Sequence, residues 1–373
     1  MRQLWADALR IDPTLAATRR QLAALPRRRI RPVAFSRAAL FGAMARGEPI
    51  LFSDFPVRVR GERERGTRGA VLHALRTGLP DEGTIRVRCG ASATQKYVTR
   101  DELIRRWESG RSKVSVTDLH IRGSNVARRI DCSRLSDFNL LARAGGDVGA
   151  EEMLTLVMSS AGTFTDSHSD DPDGSNHCFT GKKLWLVWDT FRGLSRNLED
   201  VERCEVEAPQ AAFNIAAFLS IRGSRWFTVE AGQTLFLPGH LTHKVVTLED
   251  YIGVGSFFVM LPSYLRTVER WTRHSPLWSL GAPSAQRLAL VDDITRRVTQ
   301  KVRLLARAPA REKSCWGLAP LVQAVDCWMQ GPSRARSVLL DRPVSAQFVD
   351  AVLASSRRVS TQASSARQLS ARA

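Results

Sequence analysis

The chain has 373 residues, 43% of them hydrophobic and nine of them tryptophan, enough to fill a large core and to exclude a wholly disordered or fibrous protein. Its net charge of +18 admits a nucleic-acid partner, yet only seven of the 55 basic residues are lysine, and so arginine-heavy a composition reflects codon usage as readily as phosphate binding. No run approaches the roughly 18 apolar residues that cross a membrane, and six cysteines without C-x-x-C spacing argue against a zinc ribbon or a disulfide framework.

An intracellular protein with reduced thiols is therefore expected, cytoplasmic, or nuclear if the source is eukaryotic. An organellar presequence is the alternative, because the N-terminus is rich in arginine and poor in acid. Residues 1–30 read as a basic helical arm, with Leu4, Trp5, Ala8, Leu9, Leu22 and Leu25 at helical intervals before Pro26-Arg27-Arg28-Arg29. Such an arm either caps the core or reaches for nucleic acid, and the first reading is preferred.

Residues 31–150 read as an N-terminal α/β support of a barrel. Ser36 caps a helix running through Met44, Pro49 to Phe52 and Thr84 to Val87 form strands, and Tyr97-Val98-Thr99 leads into a helix over Asp101 to Trp107. The charged, glycine-containing stretch Arg58 to Arg68 reads as a solvated loop, and Phe138 to Leu141 as buried.

Over residues 151–262 short apolar runs alternate with turn residues, the pattern of an antiparallel barrel or sandwich. The runs are Met153–Met158, Asn176–Phe179, Lys183–Trp188, Trp226–Val229, Thr234–Leu237, His243–Thr247 and Tyr251–Val259, with Gly181 and Gly232 at expected tight turns. An insertion from Phe191 to Arg225 carries an apolar stretch, Ala211 to Ile221, suited to a helix over a barrel edge.

Residues 263–354 turn helical. Val291, Ile294, Val298, Val302 and Leu305 form one apolar face, and Leu318, Leu321, Val322, Val325, Trp328 and Met329 another. These faces need the barrel wall, each other, or a second copy of the chain in a homodimer. Val344 to Leu353 adds a further helix, and residues 355–373, rich in serine and arginine, read as a disordered tail. The expected fold class is a mainly β core with N-terminal α/β elements and a C-terminal helical region.

The chemistry concentrates in Thr165-Asp166-Ser167-His168-Ser169-Asp170. In an extended segment residues two apart share a face, so His168 and Asp170 can reach one ion. An imidazole, a carboxylate and a second histidine make the facial triad of non-haem Fe(II) oxygenases. The best third ligand is His243, which opens a strand after Phe236-Leu237-Pro238, and His240 competes with it. Lys183 precedes the apolar run Leu184–Trp188, and an inward lysine there needs a counter-ion.

These motifs resemble those of the JmjC-domain oxygenases, over about Leu154 to Met260. The family shows T-x-x-H-x-[DE], then G-x-K, then a histidine beyond an F-[IL]-P strand. Here stand Thr165 to Asp170, Gly181-Lys182-Lys183 with Lys183 fifteen residues after His168, and Phe236-Leu237-Pro238 with His243 five beyond Pro238. The resemblance implies a double-stranded β-helix of the jelly-roll, cupin-like kind. It implies that His168, Asp170 and His243 hold Fe(II), and that Lys183, with Thr165 and more loosely Asn176, binds 2-oxoglutarate. Ser256 stands where the lysine-demethylase branch often has asparagine.

The implied reaction spends O2 and 2-oxoglutarate to hydroxylate a C–H bond, and an N-methyl group so hydroxylated leaves as formaldehyde. A protein or peptide substrate is expected, by side-chain hydroxylation or N-methyl-lysine demethylation. Asp171 and Asp173 are candidates for making the cleft locally acidic. The alternatives are an RNA hydroxylase, marked by salt-sensitive RNA affinity, and a catalytically silent basic scaffold.

Overall fold

β-Branched and aromatic residues in alternating runs form twelve strands among the described residues. They are β1 (Ile50–Phe52), β2 (Arg58–Val59), β3 (Ile85–Cys89), β4 (Gln95–Val98), β5 (Val114–His120), β6 (Ile130–Asp131), β7 (Leu154–Ser159), β8 (Phe164–Ser169), β9 (Asp173–Trp188), β10 (Arg225–Glu230), β11 (Thr234–Leu237) and β12 (Thr242–Phe258). The computed structural model describes residues 2–79, 85–89, 95–121, 124–131, 139–140, 154–170, 172–189, 213–221, 223–272, 285–331 and 339–370. Two compact units are present, one of residues 1–35, 49–137 and 148–258, the other of 36–48, 138–147 and 259–373.

In the first unit ten strands make one antiparallel sheet in the order β1-β11-β9-β12-β7-β5-β3-β4, with β10 added to β9 and β8 added to β12; β2 and β6 pair separately. The long strands β9 and β12 organise it. Their registers run together from Asp173↔Phe258 to Thr242↔Trp188, interrupted by shifts between Thr247 and Gly253. On one side of the interruption β11 and β7 flank them, on the other β10 and β8. The ribbon β9–β12 thus passes from the layer that holds β11 and β7 into the one that holds β10 and β8.

Two expected pairs of short strands are therefore single long ones. Gly181 sits within β9 rather than at a chain-reversing turn. It adopts φ 85°, in the left-handed region, and a Cβ there would lie 2.1 Å from the backbone oxygen of Asp250 on β12. Gly181→Ala is accordingly expected to destabilise the unit by about 2–4 kcal/mol, from strain and overlap together. Chemical denaturation giving a loss below 1 kcal/mol would show that the ribbon can relax there.

The arm caps the sheet. Helix Arg2–Ile11 and the turns after it bury Trp5, Ala8, Leu15 and Leu25 with Leu184, Leu186, Trp188, Trp226 and Val246. Trp5 meets Trp226 edge-on at 5.4 Å, and the Trp226 indole N–H donates to the Leu25 carbonyl at 2.7 Å. The short helix Ile215–Ser220 lies in the same cluster through Ile215 and Phe218, within the stretch read as helical; residues 190–212 of the insertion lie outside the described residues.

The stretch from Arg58 is not the loop expected. It forms β2 and then helix Glu62–Gly78, whose buried side chains Val71, Leu72 and Leu75 lie beyond the charged segment that dominated its composition. Thr99 caps helix Arg100–Ser109 by accepting from the Glu102 N–H, and β5 follows that helix.

The second unit is helical. Ser36 caps helix Arg37–Arg46 by accepting from the Ala39 N–H, and this helix belongs with the C-terminal helices rather than with the N-terminal support, since Phe41 lies beside Gly317 and Pro262. The expected apolar faces cover one another within one chain. Val291, Ile294, Val298, Val302 and Leu305 of helix Ala285–Arg307 share a cluster with Leu318, Leu321 and Val325 of helix Leu318–Met329 and with Phe348 and Val352 of helix Pro343–Ser370. That last helix carries through residues 355–370, where composition predicts disorder; its packed first half supplies a nucleus from which alanines, arginines and glutamines propagate helix readily. No helix among the described residues is long and apolar enough to cross a membrane.

Candidate metal centre

β8 and β12 lie antiparallel with His243 directly opposite His168, so the two imidazoles meet with ring centroids 4.2 Å apart. Asp170 follows β8 by one residue. One donor atom from each of His168, Asp170 and His243 falls within 4.8 Å of the others, a spacing that admits one small ion. His240 is not part of the group. It takes φ 62° and donates its N–H to the Asp170 carbonyl at 2.7 Å.

The hydrogen bonds of the two imidazoles fix their tautomers. His168 Nδ1 lies 2.8 Å from the Asp166 carbonyl oxygen, and His243 Nδ1 lies 3.0 Å from that of Leu241. A carbonyl oxygen only accepts, so each Nδ1 carries a proton, and the neutral form of each ring has its lone pair at Nε2. Burial first, and the neighbouring His168 second, push the His243 imidazole well below its ordinary pKa, against the pull of Asp170. A neutral Nε2 thus faces the Asp170 carboxylate at 3.7 Å. Two acceptors facing each other are repulsive unless a cation stands between them, and orienting partners of this kind are what metal-bound histidines have.

These residues open onto a cavity of about 450 Å³. Its walls come from both layers of the ribbon: Thr165, His168, Lys183, Trp185, His243 and Val245 from one, Thr155, Asn176, Leu235 and Gly255 from the other. All six residues singled out in the sequence, His168, Asp170, His243, Thr165, Lys183 and Asn176, line it. Lys182 does not; it pairs with Glu230 at 2.8 Å outside.

Lys183 is 3% exposed, and among the described residues its partners are all neutral. The ammonium donates to Ser159 Oγ at 3.0 Å and lies 4.5 Å from the centroid of the Tyr251 ring. Burial lowers its pKa to about 7. Burial also raises Tyr251 well above its ordinary value and Cys178 to about 12, so neither supplies a negative charge near neutral pH. The Tyr251 hydroxyl donates to Asn176 Oδ1, which leaves the Asn176 amide N–H groups for another acceptor.

Two sequence readings change here. Asp173 is buried and accepts from the Gly239 N–H at 3.0 Å, so it stitches the loop before His243 rather than making the cleft acidic, and Asp171 lies outside the described residues. Ser256 is not among the cavity walls, which take Gly255 and Phe257 from β12. His177 is engaged with Thr234 Oγ1 at 2.8 Å and lines no part of the cavity. Ser159 and Tyr251, the partners of Lys183, went unnoticed in the sequence; the period-two series Thr155, Val157, Ser159 carries the signal for the first.

Comparison of the chain with protein-family models and with curated proteins finds no match to either.

Proposed function

We propose that the chain is an Fe(II)- and 2-oxoglutarate-dependent oxygenase of the JmjC type, built on a double-stranded β-helix, that hydroxylates a protein or peptide side chain or demethylates N-methyl-lysine. The observation that carries this reading is the cavity with two imidazoles and a carboxylate at one place and a buried lysine without an anionic partner, among the described residues, at another. The donor set fits iron: two imidazole nitrogens with bare lone pairs and one hard carboxylate. When bound, iron with 2-oxoglutarate and O2 supplies the oxidising chemistry that places an oxygen atom into a C–H bond, with succinate and CO2 as co-products.

The chain's residues would do the rest. Lys183 would neutralise the far carboxylate of 2-oxoglutarate, which a buried site cannot hold without a cation. The Thr165 hydroxyl and the Asn176 amide would donate to its oxygens. Trp185, Leu235 and Val245 would keep water from the reacting atoms.

Anaerobic titration of the Fe(II)-loaded protein with 2-oxoglutarate tests the reading. A weak visible charge-transfer band is expected, then succinate on admitting O2. Iron binding with neither band nor succinate would favour the silent scaffold instead. Turnover stimulated by RNA, with salt-sensitive RNA affinity, would favour an RNA hydroxylase.

A further inference from the structure

Lys244 follows His243 on β12, so its side chain leaves the opposite face of the strand, away from the cavity. It is 2% exposed. Its ammonium lies 2.8 Å from Asp12 Oδ2 and 3.2 Å from Asp166 Oδ1, with the Phe164 ring centroid at 5.0 Å. Asp12 belongs to the N-terminal arm, is 1% exposed, and accepts at its other oxygen from the Thr14 N–H and hydroxyl, at 3.0 and 2.7 Å. The arm therefore carries a fixed carboxylate to the back of a strand whose front holds a candidate ligand.

The register gives that contact a consequence. His243 pairs with His168 and Val245 with Thr165, so two residues of β8, Asp166 and Ser167, stand opposite Lys244 alone. Such a bulge re-aims the side chain beside it. Asp166 is the bulge residue that Lys244 holds, and its carbonyl accepts the Nδ1–H of His168. A continuous path of contacts leads from Asp12 through Lys244 and Asp166 to the histidine.

We propose that Asp12 is a positioning residue of the metal centre, and that the arm, through the Asp12–Lys244 pair, sets the bulge that aims His168. The inference rests on the reading that His168, Asp170 and His243 hold a metal. Without the Asp12 charge, Lys244 is a buried cation left to Asp166 alone, whose side chain is mostly exposed. The ammonium would then follow Asp166 toward water, and the bulge with it.

The test is titration of the full-length, metal-free protein with Co(II), reading affinity and the visible d–d bands. Asp12→Asn is expected to weaken Co(II) binding by about 10-fold, within the range seen for outer-shell partners, and to shift the bands; Asp12→Glu restores both. Trp5→Phe, which loosens the arm's packing but keeps the ion pair, retains wild-type affinity and bands. Wild-type affinity and bands in Asp12→Asn, or an equal loss in Trp5→Phe, overturns the proposal. Should Asp12→Asn fail to fold, the double variant Asp12→Asn with Lys244→Met buries no charge and must show the same weakened binding; wild-type binding there overturns it equally. Failure of the wild type to bind Co(II) is a different result, which removes the metal reading and this inference together.

Discussion

Asp170→Ala is expected to abolish succinate formation and to strip iron from the purified protein while the fold survives. Asp170 is the only carboxylate in the triad; without it the site offers two imidazoles, and a divalent ion loses its charge-bearing ligand. The loss should exceed the roughly 10–100-fold that accompanies removal of an outer-shell partner. Stability should change by about 0.5 kcal/mol or less, because the carboxylate is partly exposed and stands just beyond the end of β8 rather than in the core. The variant even relieves the facing of acceptors between Asp170 and His243 Nε2. His168→Ala should behave alike. Iron content, succinate release and a thermal melt on the same preparation decide it: full activity in either variant removes the site, and a collapsed melt would mean that the residues serve the fold.

The grouping of the candidate residues was legible in the sequence because they stand at the motif spacings of the family that the chain resembles, close in the chain or along one strand. His168 and Asp170 are two apart, and Lys183 keeps its cavity face through the uninterrupted half of β9. The choice of His243 over His240 rests on the five-residue spacing after Pro238 that the resemblance supplies. What escaped was long-range. Nothing near Lys244 in the chain marks Asp12, 232 residues earlier, as its partner. Gly181 read as a hairpin turn because a glycine flanked by two apolar runs fits either a reversal or a bulge, and only the pairing with β12 separates them. The helix from Glu62 was hidden by its charged first turns, since composition weighs what faces water and its buried face begins later, at Ala70.

Lys183→Met should stabilise the ligand-free protein and abolish 2-oxoglutarate binding, a pairing of effects that a merely structural lysine would not produce. The ammonium is buried with a hydroxyl and an aromatic face for company, so replacing it by an apolar side chain of similar length removes a desolvation cost on the order of 1–3 kcal/mol. The gain depends on pH in a defined direction. Lys183 has a folded pKa of about 7, below its ordinary value of 10.5, so between these the unfolded chain binds more protons and the wild type gains stability as pH rises. Lys183→Met loses that slope, and its advantage is largest below pH 7. Cosubstrate binding runs the other way. The anion needs the protonated ammonium, so affinity should hold steady below about pH 7 and fall towards tenfold per unit above it, with a proton taken up on binding. Calorimetry in two buffers of different ionisation enthalpy counts that proton at pH 8. Binding to wild type without proton uptake would place the carboxylate elsewhere, and a destabilised Lys183→Met would mean that the ammonium contributes more to the fold than its neutral partners suggest.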